Sequence, residues 1–368
     1  MAHAAHDAHA AHDVCVFRIG QLGDTLVALP AIHHIAALHP GARLWLITNA
    51  PARAGLITAW DVLAHTGLFA GALFYGTEPR ALVQLAWQVR RLRPQVVYHL
   101  SPPRSAMRLF RDQLFLRHVC GIPEIAALPP RGSVTPRDER GHLRVLPREC
   151  DRLLQAVDPQ APAPNGPLLR PPPSASGRAS TLLGAFSGRP LIALGPGSKM
   201  PAKRWFLPRY EEVCRRIVAQ HADVGLVVLG GAEDRAAGDV IKRAVGAERL
   251  LNLAGDTDII ESAAVLASCG LYLGNDTGTM HLAASMGVPC VAVFTSRENR
   301  DTWAPWGEDH AVLRRELACS GCMLETCERE RMRCLDLISV DDVWQAVAPR
   351  LPGLRPRSAD APVLSSEP

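Results

Sequence analysis

The feature that most constrains this chain is a recurring order of short apolar run, glycine-containing turn, amphipathic segment and second apolar run. Val14-Cys15-Val16-Phe17-Arg18-Ile19 has the length and composition of a buried parallel strand. Gly20-Gln21-Leu22-Gly23-Asp24 reads as a turn. Thr25 onward carries helical apolar spacing and stops at Pro40-Gly41, and Arg43–Thr48 is the next strand. Strand, turn, helix, strand is a βαβ unit, and its handedness rule implies a parallel sheet. Residues 81–93 suit a further helix and Gln95–Leu100 a further strand.

Residues 158–190 hold eight prolines among Ser, Gly and Ala, a composition that reads as a linker. Beyond it the pattern restarts. Strands are expected at Leu191–Leu194, Val224–Leu229, Leu271–Leu273 and Val288–Phe294, with helices at 208–220, 261–268 and 279–286. The reading is therefore α/β throughout, with a disordered His-rich tail at 1–13, one α/β domain at 14–157, the linker at 158–190, a second α/β domain at 191–351 and a disordered tail at 352–368. Hydrophobic residues at 48% and charged residues at 21% exclude a wholly disordered or fibrous chain. Aromatics at 5% leave the core to Ala, Leu, Val and Ile.

A net charge of +4 suits anionic small ligands or an anionic membrane surface and does not require nucleic acid. No window matches a membrane span. The first residues lack the basic and apolar regions of a secretory signal. A cytoplasmic location follows as the expectation, with peripheral attachment to the inner face of a membrane compatible with it. The cysteines should then be mostly reduced.

In open α/β sheets ligands bind beyond the carboxyl ends of the strands, and four segments fall there. In Gly20–Thr25, Asp24 is either a helix cap or a carboxylate that takes a proton from a nucleophile. Gly195-Pro196-Gly197-Ser198-Lys199 offers backbone N–H groups to an anion, and Lys203 nearby adds a point charge. Gly230-Gly231 follows a strand and permits close approach of a ligand, or is a plain tight turn. Gly274-Asn275-Asp276-Thr277-Gly278 feeds directly into a helix whose N-terminus favours a phosphate, with His281 one turn in on the face of Thr277.

These segments together resemble glycosyltransferase family 9, the ADP-heptose:lipopolysaccharide heptosyltransferases. The resemblance runs from about Val16 to Val343. It is carried by RIGQLGDTLVALPAI at 18–32, PGSKMPAKRW at 196–205, LGGAEDR at 229–235, LAGDTDI at 253–259 and GNDTGTMHLAASMGVPCVAVF at 274–294. It implies a GT-B fold, two Rossmann-like domains with parallel sheets facing across a cleft. It also implies an inverting, metal-independent transfer of a heptose or related sugar from an ADP-sugar donor to a lipid-linked or glycan acceptor of the lipopolysaccharide inner core.

Asp24 matches the family's base and Lys203 its donor-phosphate lysine, so the resemblance makes these two the catalytic pair. Gly23, Ser198, Lys203, Gly230, Gly231, Asp276, Thr277, Gly278 and His281 are its donor-binding set. No catalytic cofactor and no nucleic-acid partner are implied. Phe294-Thr295-Ser296 stands where the family has Phe-Gly-Pro, which bears on donor preference. A non-catalytic nucleotide-sugar-binding protein, and an enzyme of the same fold with another donor or a protein acceptor, are the alternatives.

Cys319, Cys322, Cys327 and Cys334 form a C-x2-C-x4-C-x6-C cluster. Three readings stand for it: a structural zinc or iron, a disulfide or redox pair, and reduced bystanders. None of them is catalytic.

Overall fold

The computed structural model describes residues 12–50, 57–328 and 330–357. It divides into two compact units, Met1–Val134 with Cys150–Pro164, and Thr135–Glu149 with Asn165–Pro368.

The N-terminal unit runs β1 (Asp13–Phe17), α1 (Leu22–Leu26), α2 (Leu29–Leu38), β2 (Arg43–Asn49), α3 (Ala59–Leu63), β3 (Phe69–Tyr75), α4 (Pro79–Leu92), β4 (Val96–His99), α5 (Ala106–Leu114), β5 (Glu124–Ala126) and α6 (Glu149–Val157). Its five strands are all parallel, in the order β3-β2-β1-β4-β5. The strand order reverses between β1 and β4, so the loop after β1 opens at the position where such sheets take ligands. The central strand β1 is buried at every position.

Three details depart from the sequence expectation. One helix was expected from Thr25 to Pro40, but the chain forms α1 and α2. Pro30 in the first turn of α2 has no N–H to continue a helix from the preceding turn, so a new helix starts there. Gly23 and Asp24 therefore lie inside α1, not in a turn. Asp13, assigned to a disordered tail, is buried at the start of β1, where its carboxylate accepts from Arg43 and from the Trp45 indole. Residues 1–11 of that tail lie outside the described residues.

The C-terminal unit continues with α7 (Pro173–Leu182), β6 (Leu191–Gly195), α8 (Leu207–Gln220), β7 (Gly225–Val228), α9 (Arg235–Val245), β8 (Leu250–Asn252), α10 (Ile259–Ala267), β9 (Leu271–Asn275), α11 (Gly278–Ser285), β10 (Cys290–Val293), β11 (Ala311–Leu313), α12 (Arg333–Asp336) and α13 (Val340–Val347). The sheet order is β11-β10-β9-β6-β7-β8, again parallel throughout. Its reversal point lies between β6 and β9.

The Pro-rich stretch expected as a linker is partly structured. α7 buries Ala175, Ser176 and Ala179 and packs against α10, with Arg178 and Glu261 3.8 Å apart. Small side chains allow this close packing, and Pro173 sits in the first turn, where its missing N–H costs nothing. Of the expected C-terminal tail, Leu354 joins the core of this unit and Arg357 donates to the Cys269 carbonyl. Residues 358–368 lie outside the described residues. Among the described residues no helix is long and apolar enough to cross a membrane.

Candidate functional site

The carboxyl ends of β6 and β9 bring most of the candidate residues together. Asn275, the last residue of β9, organises the backbone there. Its Nδ2 donates to the carbonyls of Pro196 (2.7 Å) and Gly197 (3.2 Å). Its Oδ1 accepts from the Trp205 N–H (3.1 Å) and the Tyr210 hydroxyl (2.9 Å). All four hydrogen-bonding positions of the amide are used, in a fully buried setting. One side chain thus ties the loop after β6 to the start of α8. Sequence reading passed over it because an Asn beside Asp-Thr-Gly reads as turn chemistry.

Lys203 ends a short 3₁₀ turn, Pro201–Lys203, whose position is fixed by Trp205. The Trp205 ring is buried, and its indole N–H donates to the Ile338 carbonyl (3.0 Å). The Lys203 ammonium lies 2.7 Å from Asp276 Oδ2 and 3.7 Å from Glu298 Oε2, and all three side chains are largely buried. Burial alone would lower the lysine pKa. The charges of Asp276 and Glu298 outweigh it and hold Lys203 above its ordinary value, so the ammonium is charged. Glu298 is pushed up, chiefly by burial, with the Asp276 charge adding and the Lys203 charge opposing.

Arg297 completes the cluster. It is buried, pairs with Glu298, and donates from Nε to Leu324 (2.8 Å) and from Nη2 to Met323 (2.8 Å). Two cations and two carboxylates therefore share one small volume. Glu298 and Arg297 were missed by the sequence reading. Their only signal was the departure from Phe-Gly-Pro just upstream, at Phe294-Thr295-Ser296.

Asp276 precedes α11 and Thr277 is its N-cap residue, in extended conformation with no side-chain cap hydrogen bond. Gly278 opens the helix. His281 is buried one turn in, with its ring edge-on to Trp303 at 6.5 Å. Ser198 is nearly buried, and its Oγ accepts from the Met200 N–H (3.2 Å). Gly230 and Gly231 line the neighbouring strand end, where Asp234 Oδ2 accepts from the Gly231 N–H (3.2 Å).

The Asp234 carboxylate is wedged between the two loops. A Cβ at Gly197 would fall 1.9 Å from Asp234 Oδ1, and one at Gly230 2.4 Å from Oδ2, so a side chain at either position would displace this carboxylate. Burial, with Glu233 beside it, raises the Asp234 pKa.

Asp24 and Gly23 belong to the N-terminal unit. The Asp24 carboxylate closes the first turn of α1, with Oδ2 accepting from the Gln21 N–H (2.8 Å). Its Oδ1 stands 3.7 Å from the guanidinium of fully buried Arg18, and the side chain stays 30% exposed. The structure thus realises the capping reading and leaves part of the carboxylate open to solvent. A Cβ at Gly20 would meet the Asp24 side chain at 2.5 Å, so the glycine makes room for it.

The four clustered cysteines are free thiols; Cys322 is exposed and the other three half-buried. Cys334 packs against the core, and the Cys319 pKa is raised by burial and by the nearness of Cys322, Glu330 and Cys334. Among the described residues no group of three or more His, Cys, Asp or Glu is gathered to hold a metal. The segment instead backs the Lys203 cluster. Gly321 N–H donates to Ser296 (2.8 Å), Met323 N–H to Arg297 (2.9 Å), and Ala202 N–H to Glu325 (3.0 Å). The six scattered cysteines are buried and unbridged.

Residues 146–333 match the family model for glycosyltransferase family 9 (heptosyltransferase). Lipopolysaccharide heptosyltransferase 2 of Salmonella typhimurium is 37% identical over 112 residues, 29% of this chain and 32% of its own length. The chain thus matches only about a third of the length of that curated relative. Among solved structures, E. coli ADP-heptose lps heptosyltransferase II superposes with a TM-score of 0.68 at 21% identity, covering 93% of this chain and 99% of that one. The glycosyl transferase family 9 structure from Veillonella parvula gives 0.72 at 17% identity, covering 93% and 98%. These two share the fold: parallel sheets of the GT-B type. With the family model spanning more than half of its residues, the chain belongs to glycosyltransferase family 9.

Proposed function

We propose that this protein is an inverting, metal-independent glycosyltransferase that moves a heptose from an ADP-activated donor to an inner-core lipopolysaccharide acceptor. It would work in the cytoplasm, at the inner face of the inner membrane. The observation that carries the reading is the charged, buried ammonium of Lys203 beside the start of α11, at the reversal point of the second sheet. A departing nucleoside diphosphate develops negative charge on its oxygens. A fixed ammonium and the N–H groups at a helix start stabilise that charge without reorganisation. The name of the E. coli structure, which carries ADP-heptose, supports the choice of donor.

In this reading the C-terminal unit binds the donor through Ser198, Lys203, Gly230, Gly231, Asp276, Thr277, Gly278 and His281, and the N-terminal unit receives the acceptor. Gly23 serves to shape α1. Asp24 takes the proton of the acceptor hydroxyl. The oxygen attacks the anomeric carbon from the face opposite the diphosphate, the C–O bond to ADP breaks, and the configuration inverts. A carboxylate that caps its own helix and keeps an exposed edge can hold one hydrogen bond and accept another. No step runs through the four cysteines. Among the described residues these thiols are not gathered into a metal-holding group, and any metal bound there would be structural.

Transfer by the purified protein from ADP-heptose to heptose-free lipopolysaccharide, followed by mass spectrometry, is the direct test. A product heavier by one heptose is expected, and no such product under saturating donor would overturn the assignment. The same assay in EDTA should keep its rate; a loss restored by Mg²⁺ would overturn metal independence. Thr277→Ala should weaken ADP binding by about 1.5–3 kcal/mol, the value of one hydrogen bond to a charged group. Calorimetry checks this, and unchanged affinity would remove Thr277 from the phosphate contacts.

A further inference from the structure

Helices α4 and α5 of the N-terminal unit each bury an apolar side and also turn large apolar side chains outward. α5 buries Asp112, its single carboxylate, and turns Met107 (77% exposed), Phe110 (63%) and Leu114 (48%) outward. These fall at i, i+3 and i+7, one stripe on the helix. On α4, Val83 (70%) and Trp87 (57%) stand outward one turn apart. The two helices meet through the segment that follows α5. Leu85, Ala86 and Val89 of α4 share a core cluster with Leu116 and Cys120, just after α5. Arg90 donates across to the carbonyls of Val119 (2.8 Å) and His118 (3.3 Å).

The charge on these two helices is mostly positive, with exposed Glu78 at the N-cap of α4 the nearest exception. Residues 79–119 contain eight arginines and one acidic residue, Asp112. That carboxylate is already matched by Arg104 at 2.7 Å and Arg111 at 3.0 Å, with His99 at 3.6 Å. Burial would raise its pKa, but the hydrogen bond from Arg111, the charge of Arg104 and the nearby His99 imidazole hold it below the ordinary value, so it stays ionised. Arg108 and Arg117 are exposed beside the apolar stripe, and Arg91 stacks on the Trp87 ring at 4.5 Å.

We propose that this part of the N-terminal unit docks on an anionic lipid bilayer, with Met107, Phe110, Leu114 and Trp87 entering the interface and the arginines meeting headgroup phosphates. Large apolar side chains interleaved with arginine are what such a surface binds. A second copy of the chain would set like charge against like in a two-fold contact, and is disfavoured for that reason. The idea deepens the proposed function by giving a lipid-linked acceptor its surface. It depends on that reading only for the surface's purpose, because docking is measured without donor or acceptor.

The test is co-sedimentation of the full chain with vesicles of phosphatidylglycerol and phosphatidylethanolamine, against vesicles of phosphatidylcholine alone. Binding to the anionic vesicles only, weakening with salt, is expected. Arg108→Gln with Arg117→Gln should lower the partition coefficient by about 25-fold, at roughly fivefold per arginine. Met107→Ser with Phe110→Ser and Leu114→Ser should lower it by more than about tenfold. Both variants replace exposed side chains and should melt with the parent, and heptose transfer to a detergent-solubilised acceptor should be unchanged in both. Equal binding to phosphatidylcholine, parental binding by either variant, or a dimer dispersed by the serine variant in sedimentation equilibrium would each overturn the proposal.

Discussion

Asp24→Asn is expected to slow heptose transfer by about 10²–10⁴-fold, the usual contribution of a positioned proton acceptor. Asparagine is the informative substitution because it separates the two roles of this residue. The side-chain oxygen that accepts from the Gln21 N–H at 2.8 Å is retained, so the first turn of α1 stays closed. What is lost is the capacity to take a proton, together with the charge that faces buried Arg18 at 3.7 Å. Asp24→Ala removes both, and should add a stability loss of about 1 kcal/mol from the missing cap. ADP affinity should be unchanged in either variant, since the diphosphate contacts are assigned to the C-terminal unit. Single-turnover rates with matched melting temperatures make the comparison. Near-parental turnover in the asparagine variant would leave Asp24 as a helix cap and nothing more.

Much of this architecture is legible in the sequence because parallel strands must be apolar on both faces. β1, β6, β7, β9 and β10 are each buried at every position, and each had been expected near its observed place. The peripheral strands β3, β5, β8 and β11 were not. β3 exposes Ala70 and Phe74, and β5 and β11 are three-residue pieces half open to solvent, so none carries the continuous apolar signal. α7 was hidden by its prolines, which lie at and before its first turn rather than within it.

The site divides in the same way. Asp24, Ser198, Lys203 and the Asp276–Gly278 loop announce themselves by position after a strand. Glu298 and Arg297 do not, because their importance comes from tertiary proximity to Lys203 across some 95 residues of chain (298 − 203). Asp234 is visible only through the glycines that yield to it.

The Lys203 cluster predicts the largest stability effect. Lys203→Met keeps the length of the stem and removes the charge, leaving Asp276 and Glu298 buried against each other with Arg297 as the remaining cation. Removing one partner of a buried ion pair typically costs 3–5 kcal/mol, which we expect, to about that accuracy, at neutral pH. The loss should shrink in acid. Glu298 already has a raised folded-state pKa, so the folded state favours its protonated form. Stability from this group therefore falls as pH rises through the window between its unfolded and folded values, and recovers below it. Without the opposing lysine charge that window moves upward, and protonation relieves the variant before it relieves the parent. Lys203 in the parent acts in the opposite range. Its raised pKa keeps its contribution intact below the unfolded lysine value, and the contribution is lost only as pH climbs through the folded one. Urea denaturation of the variant at neutral pH and at about pH 5 reads the difference. Adding Glu298→Gln to Lys203→Met should restore part of the loss at neutral pH, because the residues are coupled through one network. A deficit below about 1 kcal/mol, in the range of a solvated surface pair, or one that is equal at both pH values, would mean that the ammonium is not the partner of these carboxylates in solution. It would also remove the fixed positive charge on which the proposed departure of the diphosphate depends.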